Sequence, residues 1–97
     1  MIDVQDIKEI ADHYGYEEQS AQLIEECAEL IQAVNKLRRS HLASKKDFYN
    51  LVEEIADVEI MLAQVKHLLG IPPRDVERLK IFKIQRQKER MAHGKDS

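Results

Sequence analysis

The chain has 97 residues, 43% hydrophobic and 34% charged, with three glycines, two prolines and a formal net charge of −3. That is one domain's worth of sequence, near the lower end of what buries an adequate core alone, so association with a second copy is expected. The acidic balance gives no general attraction to nucleic acid, and no apolar run approaches the ~20 residues of a membrane span.

The opening Met1-Ile2-Asp3-Val4 lacks the basic and apolar regions of a signal peptide. Cys27 is the only cysteine, which leaves no internal disulfide and no CxxC metal site. A cytosolic protein fits these features.

Asp3 to Tyr14 carries Val4, Ile7, Ile10 and Ala11 at the spacing of one helical face, with Asp3 as its cap and Gly15 where a left-handed terminating residue is wanted. A second, longer helix is predicted from about Tyr16 to Arg39, its stripe made of Leu23, Ile24, Cys27, Leu30, Ile31, Val34 and Leu37. Gln22, Glu26 and Glu29 lie along one flank of that stripe. Cys27 falls on the stripe as a core residue.

Ser40-His41-Leu42-Ala43-Ser44 breaks the pattern, and Ser44 can cap the next helix, predicted from about Lys46 to Leu69. Its stripe is Phe48, Leu51, Val52, Ile55, Val58, Leu62, Val65 and Leu69, with Glu54 and Asp57 on its flank. Gly70-Ile71-Pro72-Pro73 ends it. A last helix starts at Pro73 or Arg74 and carries Val76, Leu79, Ile81, Phe82, Ile84 and Met91 among Arg74, Arg78, Lys80, Lys83, Arg86, Lys88 and Arg90. Residues 94–97 are expected to fray. The whole chain, 1–97, reads as a single all-α domain: four helices with two long central antiparallel ones, completed by oligomerisation.

One word is repeated. Leu23-Ile-Glu-Glu-Cys-Ala-Glu-Leu30 and Leu51-Val-Glu-Glu-Ile-Ala-Asp-Val58 align residue for residue at a constant offset of 28. Each copy presents two carboxylates three residues apart, Glu26/Glu29 and Glu54/Asp57, on one helix face. In an antiparallel hairpin, residues equidistant from the loop centre lie side by side. Glu29 and Asp57 have their midpoint at 43 and the four carboxylates together at 41.5, both inside the Ser40–Ser44 loop; Glu29 and Asp57 are expected level with each other, with Glu26 and Glu54 about one turn above and below.

Four gathered carboxylates cannot stay charged and close without cations. Their hard oxygens suit Mg²⁺, with Mn²⁺ as a substitute, rather than Zn²⁺. Magnesium completes its shell with water and substrate phosphates, which is the property diphosphate chemistry needs. Glu25 and Glu53 point further from the stripe.

Other chemistries are excluded by what the motif lacks. Gln32 and Ile60 stand where a di-iron bundle would want histidines after Glu29 and Asp57. No G-x-x-x-x-G-K-[ST] phosphate loop is present. The basic stretch of the last helix lacks the aromatic interleaving of a nucleic-acid surface.

Glu25-Glu26-x-x-Glu29 followed by Glu53-Glu54-x-x-Asp57, on two central helices of a small helical protein, resembles the all-α nucleoside triphosphate pyrophosphatase superfamily. That group includes MazG-like proteins, dimeric dUTPases and phosphoribosyl-ATP pyrophosphatases. The resemblance covers roughly residues 4 to 90. It implies a MazG-like bundle and Mg²⁺-dependent hydrolysis of an NTP or dNTP to the monophosphate and pyrophosphate, with the metal on Glu26, Glu29, Glu54 and Asp57. Glu25 or Glu26 would take the proton of the attacking water.

The resemblance also implies a homodimer or homotetramer with the site near a subunit interface. Lys80, Lys83, Arg86 and Gln87 are the candidates for reaching the phosphates, and Gln22 and Asn35 are eligible by type for the base. No asparagine occurs on the last helix, where family members often carry one, so the register of that part is not set. A phosphoribosyl-ATP pyrophosphatase-like enzyme uses a similar box. A non-catalytic helical oligomerisation or regulatory module is the rival from another class.

Overall fold

In the computed structural model, which describes residues 1–94, the chain forms three helices: α1 (Val4–Arg39), α2 (Lys45–Leu69) and α3 (Pro73–Ala92). No strand occurs among the described residues, and no described helix is long and apolar enough to cross a membrane.

The helix ends follow local chemistry. Asp3 accepts a 2.8 Å hydrogen bond from the Gln5 N–H, and the Ser44 hydroxyl accepts one of 3.1 Å from the Asp47 N–H. Each satisfies a donor that the first helical turn leaves without a partner. At the end of α2, Gly70 adopts the left-handed conformation (φ 65°, ψ 31°), and the Ile71 N–H reaches back to the Lys66 carbonyl at 3.0 Å. Pro73 then opens α3, where its missing N–H costs nothing. Gly94 follows α3 with its N–H on the Met91 carbonyl at 3.2 Å. The fraying expected of the tail otherwise falls on residues 95–97, outside the described residues.

The sequence predicts four helices; the first two share the span Val4–Arg39 and meet at Gly15. Gly15 does break helical geometry, with φ 84° and ψ 170°, a conformation open almost only to glycine. The predicted boundary between the first two helices therefore holds: they abut at this residue without a loop, and α1 denotes the pair. The helices do not close into a four-helix bundle within one chain. α1 and α2 form an antiparallel hairpin, whereas α3 makes no packing contact with either and has no buried residue.

The reversal between α1 and α2 is tight. His41 (φ 53°) and Leu42 (φ 65°) are both left-handed, and the Leu42 N–H bonds the Leu37 carbonyl at 3.0 Å. This geometry sets the register of the hairpin. Gln64 donates a buried hydrogen bond from Nε2 to Oε1 of Gln19, and residues 19 and 64 have their midpoint at 41.5, between the two left-handed residues.

The seam between the helices buries Ala33 and Leu37 of α1 toward the loop and Val58, Met61 and Val65 of α2 further from it, while Ala11 is buried in the segment before Gly15. Leu23, Cys27, Leu30 and Leu51 are half-buried. The rest of each predicted stripe faces outward: Ile24 is 71% exposed and Ile31 63%, and Phe48, Val52, Ile55 and Leu62 are exposed on α2. The accessible surface is 8073 Å², against about 5,700 Å² for a self-contained globule of this mass. The radius of gyration is 16.7 Å, against about 13 Å.

Candidate metal centre

The register of the hairpin decides which carboxylates meet. With a midpoint at 41.5, Glu29 falls opposite Glu54, and Glu26 opposite Asp57. The predicted pairing of Glu29 with Asp57 is therefore corrected by one helical turn. The left-handed residues 41 and 42 centre the reversal at 41.5 rather than at 43, the centre that a Glu29–Asp57 pairing requires. Glu26, Glu29 and Glu54 still converge, with Asp57 beside them, because the shift moves pairs along the seam without rotating them out of it.

One carboxylate oxygen from each of Glu26, Glu29 and Glu54 lies within 4.8 Å of the others. Asp57 stands outside that trio yet adjoins it, half-buried on the same seam. The electrostatics report the crowding. The Glu26 carboxyl is pushed above the usual glutamate range, first by loss of solvent, then by the charges of Asp57, Glu29 and Glu25. Glu54 is pushed up in the same direction, again first by desolvation, then by Glu29, Glu26 and Asp57. For each glutamate the strongest neighbouring charge is the residue that the register places opposite it.

Oε2 of Glu54 is shielded from solvent and has no hydrogen-bond partner. An anionic oxygen left so is costly, and its neighbours are other carboxylates rather than donors. A divalent cation fits this donor set. Oxygens sharing one hard cation at 2.0–2.6 Å lie roughly 3–5 Å apart, the spacing of this trio, and the cation would supply the partner that Glu54 lacks.

The remaining predicted site residues are placed less centrally. Glu25 and Glu53 are exposed, as is Gln22. Lys80, Lys83, Arg86 and Gln87 are exposed on α3, clear of the carboxylates of their own chain. The Arg86 guanidinium stacks over the Phe82 ring at 5.6 Å. Asn35 lies beside Arg38 and Arg39 at the loop end of α1.

Two features escaped the sequence reading. Gln19 and Gln64 are 6% and 2% exposed and form the buried polar floor of the seam. Their signal was present: Gln19 stands seven residues before Glu26 and Gln64 seven after Asp57, which keeps them on the carboxylate face. The other is the 2.8 Å pair of His67 Nε2 with Asp12 Oδ1, which spans the Gly15 break and could not be foreseen without its geometry.

Residues 15–91, about four fifths of the chain, match the family model described as the MazG nucleotide pyrophosphohydrolase domain. No curated protein and no solved structure matches the chain.

Proposed function

From the premise that this chain belongs to the MazG nucleotide pyrophosphohydrolase family, we propose that it is a Mg²⁺-dependent hydrolase converting an NTP or dNTP to its monophosphate and pyrophosphate. The observation that carries the reading is the shielded, unpartnered Oε2 of Glu54 amid the carboxylates of Glu26 and Glu29. Such an arrangement is difficult to account for as surface charge and simple to account for as a cation cradle.

Glu26, Glu29, Glu54 and Asp57 would hold the metal. Magnesium, when bound, screens the phosphate oxygens and makes a water more acidic. The chain's own carboxylates do the rest. The Glu25–Glu26 pair takes the proton as the water oxygen bonds to phosphorus. The bond from that phosphorus to the leaving oxygen breaks, and pyrophosphate departs. Glu25 is exposed and outside the trio, so it can serve as a base while its neighbours are engaged. Gln22, on the same flank of α1, is suited to hydrogen-bond the nucleotide.

The cations that a polyphosphate needs are on α3, which does not reach its own chain's carboxylates. We propose that α3 of a second copy lies across the acidic face, bringing Lys80, Lys83 and Arg86 to the phosphates of the partner's site. The surplus surface, the outward apolar stripes and the unpacked apolar side chains of α3 all support a homodimer or homotetramer.

The test is pyrophosphate release from a panel of NTPs, dNTPs and phosphoribosyl-ATP with Mg²⁺. Glu29→Gln and Asp57→Asn should each lower turnover by two or more orders of magnitude, typical of removing one charge-stabilising group. Full activity in either variant would refute the assignment.

A further inference from the structure

A cavity of about 440 Å³ lies at the open end of the hairpin, further from the loop than the carboxylate cluster. One wall is Val4, Ile7 and Lys8, from α1 before the Gly15 break; the other is Ala63, Lys66 and His67 of α2, with Ile71 beyond. Ala63 lies six residues past Asp57 on α2, about 9 Å further along the axis. The first wall also precedes residue 15, where the family match begins. The cavity is therefore separate from the proposed catalytic centre and partly built from sequence that the family model does not cover.

Its lining carries two lysines. The interior is apolar, no aspartate or glutamate lines it, and its three ionisable lining residues are Lys8, Lys66 and His67. Among the described residues the one ion pair is His67 with Asp12, so neither lysine is neutralised by a carboxylate. Lys66 is half-buried, its stem against the apolar wall. A cavity of this size falls within the range of small-molecule sites, which combine apolar lining with a few placed polar groups. α3 leaves from the rim, where its first residue Pro73 lines the cavity, and α3 of a second copy is a poor occupant: with seven lysines and arginines against three acids it would bring cations to cations.

We propose that this cavity is a second ligand site, for a small amphipathic acid: an apolar tail between Ile7 and Ala63, and a carboxylate held by Lys8 and Lys66. Because its walls come from both sides of Gly15, occupancy ties the first segment of α1 to the end of α2. This goes beyond the hydrolase reading and does not depend on it.

The test is calorimetric titration of the full chain with sodium octanoate, in chelator so that no metal occupies the carboxylate cluster. Octanoate should bind at about one per chain. Acetate, which lacks the tail, and 1-octanol, which lacks the charge, should each bind at least tenfold more weakly. The double variant Lys8→Met/Lys66→Met should lose about tenfold, and Ala63→Phe, which fills the cavity, should abolish binding. Circular dichroism melts confirm that each variant is folded. The proposal is overturned by an absence of octanoate binding, or by unchanged affinity in both variants. It is equally overturned by affinity that falls as protein concentration rises, which would assign this face to a second copy. Octanoate binding is read in chelator and stands whether or not the chain releases pyrophosphate.

Discussion

Replacing Glu54 by glutamine should raise stability without metal and lower it with metal. The metal-free native state holds Glu54 and Glu26 with their carboxyls raised, by desolvation and by one another's neighbours. A carboxyl raised on folding binds its proton more tightly in the native state. Its contribution to stability is therefore fully present below the ordinary glutamate range, and is lost as pH rises through the raised value. As pH rises from the ordinary glutamate range through the raised values, the metal-free wild type should lose the stability these two carboxyls contribute. Glu54→Gln removes one of the crowded charges and should flatten that decline.

Divalent cation reverses the sign, because it binds the deprotonated set. At a hundredfold excess over Kd, mass action adds about 2.7 kcal/mol to the native state. For a chain of this length that is on the order of 13 °C in melting temperature. In the variant most of this gain should vanish. The assay is a thermal melt at pH 4 and pH 7, with chelator and with Mg²⁺. A variant that is less stable than wild type in chelator at pH 7, or that keeps the whole Mg²⁺ gain, would refute the account of the cluster.

Gly15→Ala should destabilise by roughly 1–3 kcal/mol in a denaturant titration, purely through backbone strain, since φ is 84° and a Cβ there meets nothing within 4 Å. Gln64→Leu alone strands the Gln19 amide in the seam and should cost about 1–3 kcal/mol, whereas Gln19→Leu/Gln64→Leu should recover much of it. A double variant no better than the single would show that the pair is not coupled. Ile31→Glu, at a position 63% exposed in the single chain, should weaken self-association tenfold or more in sedimentation, since a side chain of this size contributes about 1.5–3 kcal/mol when buried. Unchanged association would place the interface elsewhere.

Much of the hairpin was legible because helix ends have strong local causes. Asp3, Ser44, Gly70 and Pro73 each occupy the position that their chemistry favours, and each ends or starts an element within a residue of expectation. The meeting of the acidic boxes was legible too, since heptad-like spacing places Glu26, Glu29, Glu54 and Asp57 on facing flanks whatever the loop does. Which of them pair was not. That depends on where the chain reverses, and Leu42 takes a left-handed φ against the habit of its residue type. The placement of α3 was equally out of reach: its apolar residues read as a packing stripe, but a stripe does not say whether the surface that covers it belongs to the same chain.

The burial pattern makes that question concrete. On α1 the seam buries Ala33 and Leu37 and half-buries Glu26, yet leaves Ile24 and Ile31 outside; on α2 it half-buries Glu54 and Asp57 and leaves Val52 and Ile55 outside. A hairpin selected for lone stability would rotate each helix to exchange those acids for those isoleucines. Burial of an apolar side chain is favourable, and burial of an unpaired carboxylate oxygen is not. The observed rotation is favourable once two further components are supplied: a cation between the acids, and another apolar surface over the isoleucines. The same choice of helix face thus requires both, which is why metal binding and self-association should prove linked. Association measured by sedimentation should tighten with Mg²⁺, and Ile31→Glu should weaken Mg²⁺ binding although its side chain is not a ligand. Independence of the two would mean that the rotation has some other cause.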